Sequence, residues 1–136
     1  MKKQGFSKSE RIKKRNDFEN IYNSGKTIFS SDKKLKATYL FEKTNQRGLV
    51  RAAFAVHRRA GKAVWRNRMK RLLREAYRLN KSILLDSVEL KKGKLLIVFS
   101  PNLFNEKKYK KVFLSNVHDS VVELMLLIKD ELTPNA

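Results

Sequence analysis

The chain has 136 residues, 41% of them hydrophobic and 33% charged, which is enough apolar material for one packed core and too little length for a second. Its 32 Lys and Arg against 13 Asp and Glu give a formal net charge of +19 at pH 7. A surplus of that size repels itself without a polyanion, so nucleic acid is the expected partner; absent cysteine excludes disulfides and thiolate metal sites, and no apolar run has the length of a membrane-spanning helix.

Residues 1–136 are read as one domain in which residues 1–14 form a flexible basic arm, because only Phe6 and Ile12 interrupt the polar run from Lys2 to Lys14. The residues after Met1 lack the apolar core of a secretory signal, and with no cysteine to oxidise a cytoplasmic location is expected. A short helix follows: Asn16 is the expected N-cap, Phe18, Ile21 and Tyr22 keep helical spacing, and Asn23-Ser24-Gly25 stops it.

Thr27 to Phe29 is read as a brief strand and Leu35 to Phe41 as a longer one, from their β-branched and aromatic content. Turn residues at Asn45-Gln46-Arg47-Gly48 predict a hairpin, with Leu49 to Val56 returning as a central, covered strand. After a basic loop from Arg58 to Lys62 comes the clearest helix, Val64 to about Leu79. At 100° per residue Trp65, Met69, Leu72, Leu73, Ala76 and Leu79 share one arc, and Arg66, Asn67, Lys70, Arg71, Arg74 and Arg78 share the opposite one. Leu95 to Phe99 reads as a buried strand, so the basic helix becomes the crossover of a βαβ unit, and a last helix is expected from about Lys107 to Leu132.

The chemistry concentrates on the basic helix. Arg66, Lys70 and Arg74 stand at i, i+4, i+8, Asn67, Arg71, Arg74 and Arg78 form an adjoining row, and Glu75 is the only acid among them. Like charges so spaced cost an isolated helix a few tenths of a kcal/mol per pair, roughly, so a compensating anion is expected; a merely solvated face is the bland alternative, and the scarcity of acids weighs against it. Arginine forks hold two phosphate oxygens or a base edge, so Arg66-Asn67-Arg68 suits RNA better than lysines would. Arg58, Arg59 and Lys62 extend the field to the helix N-terminus, whose backbone N–H groups also favour phosphate.

Phe18, Tyr22 and Tyr39 form a second constellation on which unpaired bases could stack, with core packing as the competing use; spacing alone favours packing for Phe18 and leaves Tyr22 balanced. Catalytic groups are not expected: His57 and His118 are the only histidines, and neither a Gly-rich phosphate loop nor a carboxylate pair with metal or acid–base spacing is found.

The run Gly61-Lys62-Ala63-Val64-Trp65-Arg66-Asn67-Arg68-Met69-Lys70-Arg71-Leu72-Leu73-Arg74-Glu75 closely resembles the signature of the bacterial ribonuclease P protein subunit. Arg11 to Phe18 with Tyr22 and Gly25, and Arg51 to Val56, support the resemblance upstream. Lys62 stands where Asn is usual and Ala53 where Gly is common, and neither departure removes charge.

The resemblance implies an α/β (α+β) sandwich with a four-stranded mixed sheet, a left-handed βαβ crossover and the order α-β-β-β-α-β-α. It implies a partner, ribonuclease P RNA, that itself performs the hydrolysis with Mg²⁺ and removes the 5′ leader of precursor tRNA, with no catalytic or metal-binding residue in the protein and no protein oligomer required. Arg66, Asn67, Arg68, Lys70, Arg71 and Arg74 would then meet the RNA, and Phe18 and Tyr22 the leader. Tyr39 or Phe41 would join that pair. Two other readings remain open from the residues: a ribosomal or ribosome-assembly protein, and a free-standing metal-dependent nuclease.

Overall fold

The computed structural model describes residues 5–44 and 48–132. Its elements are α1 (Arg15–Ser24), β1 (Lys26–Phe29), β2 (Leu35–Lys43), β3 (Leu49–Phe54), α2 (Ala63–Asn80), α3 (Ser82–Lys91), β4 (Gly93–Pro101) and α4 (Leu114–Leu132). The four strands make one mixed sheet in the order β1-β2-β4-β3, antiparallel throughout except for the parallel pair β3 and β4. The expected element order therefore holds with one addition, since the crossover between the two parallel strands contains α3 as well as α2.

Strand alternation sorts the core. Leu95, Ile97 and Phe99 of β4 point to a large cluster with Trp65, Met69, Leu73 and Tyr77 of α2 and Val121, Leu124 and Ile128 of α4. Leu96 and Val98 point to the other face, where Ile12 and Ile21 complete a smaller cluster and Phe18 packs against it. Covered on both faces, β4 needs apolar residues at successive positions, which is why Leu95 to Phe99 is an unbroken hydrophobic run.

Several expectations are corrected. β2 and β3 do not form a hairpin, because β4 lies between them and pairs with both; the turn residues 45–47 lie outside the described residues. β3 is accordingly an edge strand and not a central one. Its outer edge is shielded by the N-terminal segment: Ile12 N–H donates to Ala52 O at 3.1 Å. That segment is packed and not a loose arm from residue 6 onward, with the Phe6 ring 5.5 Å from Phe54 and 5.9 Å from Tyr77, and Lys81 Nζ 2.7 Å from Glu10 Oε2. Helix α1 begins at Arg15, with Lys14 and not Asn16 at the N-cap. Gly25 ends it as expected, though for closeness and not for handedness: a Cβ there would lie 2.6 Å from Tyr39 O. Among the described residues no helix is long and apolar enough to cross a membrane.

Candidate nucleic-acid interface

Helix α2 buries Trp65, Met69, Leu73, Ala76 and Tyr77. Tyr77 takes the place expected of Leu79, which is 42% exposed. The arc is rotated because Phe6, Phe54 and Phe99 form an aromatic nest that the Tyr77 ring completes. Burial lifts the Tyr77 phenol well above its ordinary range.

The opposite arc is the basic face. Asn67 and Arg71 are exposed, while Arg66, Lys70 and Arg74 are half-buried along their stems. The side chains of Asn67, Lys70, Arg71 and Arg74 form no hydrogen bond or salt bridge among the described residues. Arg78 differs: its guanidinium forks onto Glu75, Nε to Oε1 at 3.0 Å with Nη2 on Oε2, and that contact holds the Glu75 carboxyl below its ordinary value.

Two arginines of the face also have internal work. Arg66 Nε–H donates to Gly61 O at 3.0 Å, turning the basic loop back onto the helix. Arg68 Nε–H donates to Val112 O at 2.7 Å, and its guanidinium lies 5.7 Å from the Phe113 ring centroid. One turn earlier, the Trp65 indole N–H donates to Tyr109 O at 2.9 Å. Residues 105–113 are thereby held against α2 in a non-helical path, and the final helix starts at Leu114 instead of near Lys107. Its entry is set by Asn116, whose Oδ1 accepts the Phe113 N–H at 2.7 Å.

The helix N-terminus is not simply open to phosphate. Glu106 Oε1 accepts the N–H of Lys62, the N-cap residue, at 2.8 Å, and Glu106 N–H donates to Ala60 O at 2.7 Å. The cations stand around this carboxylate: Arg58, Arg59 and Lys62 line an open hollow together with Lys107 and Lys110. The two lysines were not among the expected contacts. Their sequence signal is the spacing itself, since Lys107, Lys110 and Lys111 would repel across one turn of a helix starting near Lys107. His57 caps the short turn Arg58–Ala60, accepting Arg59 N–H on Nδ1 at 3.0 Å.

On the other side of the sheet, Phe18 is half-buried beside Leu40, Ala53 and Ala55, and Tyr22, one turn along, is 57% exposed. Partial burial raises the Tyr22 phenol above its ordinary range. Tyr39 does not join them. It is 5% exposed in the larger cluster on the opposite face, and Phe41, two residues on, packs against that same cluster. Period-2 alternation sends Leu40, between them, toward α1. Burial raises the Tyr39 phenol, which sits by the ion pair between Lys26 Nζ and Glu131 Oε1, themselves 2.9 Å apart.

Fold and surface together define a basic α+β protein with an arginine-rich crossover helix on its surface. The model of the family described as Ribonuclease P matches residues 6–115. The ribonuclease P protein component of Clostridium acetobutylicum is 34% identical over 128 residues, covering 91% of this chain and 96% of that protein, and that of Clostridium botulinum Loch Maree is 35% identical over 105 residues, covering 77% and 86%. The solved ribonuclease P protein of Thermotoga maritima shares 28% identity at a TM-score of 0.64, covering 85% of this chain and 94% of that one. The Staphylococcus aureus structure, 23% identical at a TM-score of 0.65 over 90% of this chain and 97% of that one, has the same fold. The chain belongs to the ribonuclease P protein family, the protein components of a tRNA-processing endoribonuclease.

Proposed function

We propose that the chain is the RNA-binding subunit that assists a catalytic ribonuclease P RNA in removing the 5′ leader of precursor tRNA. The observation that carries this reading is the face of α2, where the side chains of Asn67, Lys70, Arg71 and Arg74 form no hydrogen bond or salt bridge among the described residues while the opposite arc is locked into the core. Side chains so arranged gain most from phosphate oxygens, which replace mutual repulsion with charge-assisted hydrogen bonds. Arg66 and Arg68 spend Nε on main-chain carbonyls and keep the terminal nitrogens of each fork for RNA.

Phe18 and Tyr22 form the leader-binding element, with Tyr22 supplying the exposed ring and Phe18 the floor. Neither Tyr39 nor Phe41 takes part. Hydrolysis belongs to the RNA and its Mg²⁺. Four of the acids have structural partners: Glu10 pairs with Lys81, Glu75 with Arg78 and Glu131 with Lys26, and Glu106 holds the α2 N-cap.

The test is cleavage of precursor tRNA at low Mg²⁺ by the protein alone, by a bacterial ribonuclease P RNA alone, and by both. Efficient cleavage at the mature 5′ end only in the mixture is expected; no gain from adding the protein overturns the proposal. Tyr22→Ala should fold normally and lose the preference for precursor over leaderless tRNA.

A further inference from the structure

We infer that residues 105–113 form a second, prebuilt RNA-binding platform, in which Lys107, Lys108, Lys110 and Lys111 engage backbone phosphates of the ribonuclease P RNA next to the contacts made by α2. This rests on the function proposed above and extends its surface to an element outside the basic helix.

Four lysines in five residues normally mark a solvated, mobile stretch. Here the stretch is fastened on every side. Trp65 and Arg68 bind the carbonyls of Tyr109 and Val112 at 2.9 and 2.7 Å. Glu106 is bonded twice to the Ala60–Lys62 turn, and Asn105 Oδ1 accepts Lys108 N–H at 3.0 Å. The Tyr109 ring packs on Phe104 at 4.5 Å between centroids, with Lys34 Nζ 4.9 Å above it.

These bonds engage the carbonyls of Tyr109 and Val112 and the Tyr109 ring, and they leave all four lysine side chains exposed. Holding like charges together in a fixed loop is unfavourable unless an anion compensates. Lys107 and Lys110 share one hollow with Arg58, Arg59 and Lys62, and Glu106, the acid within it, has Oε1 engaged by Lys62 N–H. The spread of charge over a ridge and an open hollow fits a nucleic-acid backbone better than a single small anion. Continuity with α2 through Trp65 and Arg68 assigns the backbone to the RNA that α2 contacts, and makes those two side chains positioning residues for the platform.

The experiment compares the wild-type protein, Arg71→Ala and the combined variant Lys107→Gln/Lys108→Gln/Lys110→Gln/Lys111→Gln for binding to ribonuclease P RNA across a salt series. Trp65 emission provides a local readout, as it is the only tryptophan and its N–H reaches into the platform. All four substituted side chains are exposed, so the unfolding midpoint should stay unchanged. The expected result is at least about a tenfold loss of affinity, a salt slope lower by about 2 to 3, and a smaller RNA-induced change in Trp65 emission.

An unchanged slope in the combined variant, with a lowered slope in Arg71→Ala, overturns the platform and spares the proposed function. Unchanged slopes in both variants overturn both. A loss seen only for precursor tRNA added to a preformed protein–RNA complex overturns the assignment to ribonuclease P RNA.

Discussion

Helix α2 and residues 105–113 are both cation-rich and are hydrogen-bonded to each other, yet one is an 18-residue helix and the other has no regular structure for most of its length. Charge density does not explain the difference. Helix α2 carries an apolar residue at nearly every turn toward the sheet, and burying that arc offsets the repulsion of the opposite one. Between Lys107 and Lys111 only Tyr109 is apolar, so a helix would leave repelling lysines with little core contact to compensate. The carbonyls of Tyr109 and Val112 are then claimed by Trp65 and Arg68 of the helix that does form. The regular element thus dictates the path of the irregular one.

Removing the shared anchor breaks the comparison most severely. Trp65→Ala deletes a 4% exposed ring and the bond to Tyr109, and should cost about 3 to 5 kcal/mol in denaturant unfolding, with looser residues 105–113 detected as faster amide exchange. Gly61→Ala acts at the join between the two regions, because a Cβ there would lie 2.8 Å from Trp65 Cε3 and 2.9 Å from Glu106 Cβ. A loss of about 1 to 3 kcal/mol is expected, together with weaker RNA binding through the displaced hollow. No loss of stability in that variant would show that the join is soft.

Arg68→Lys sharpens the distinction between holding and touching. It keeps the charge but loses the Nε bond to Val112, so stability should fall by about 1 kcal/mol while Arg71→Lys leaves unfolding within about 0.5 kcal/mol. The smallest effect concerns the other tether of α2, the Glu10–Lys81 pair. Partial burial raises the Glu10 carboxyl, but the bonds from Lys81 and Ser7 outweigh it and the net shift is below the ordinary 4.5. A depressed carboxylate contributes stability above its unfolded value and loses it as pH falls through the folded one. Wild type should therefore weaken below about pH 4.5 more steeply than Glu10→Gln, seen as converging denaturant midpoints.

Much was legible in the residues. Periodicity placed α2 and its two arcs, the unbroken Leu95 to Phe99 run marked a strand covered on both faces, and the charge surplus named the kind of partner. The pairing of strands was not legible, because β4 enters between β2 and β3 from about 40 residues further along the chain and turn chemistry at 45–48 says nothing of it. Nor was the separation of Tyr39 from Phe18 and Tyr22, which depends on which face of β2 meets α1.

By itself the sequence determined the elements whose evidence is local: a 3.6-residue apolar period, a hydrophobic strand, and a field of arginines with few acids among them. Only tertiary structure decided how residues 105–113 run, that Glu106 sits at the N-terminus of α2, and that Ile12 covers the edge of β3. Each of these rests on hydrogen-bonding groups brought together from distant parts of the chain, and local spacing carries no information about such partners.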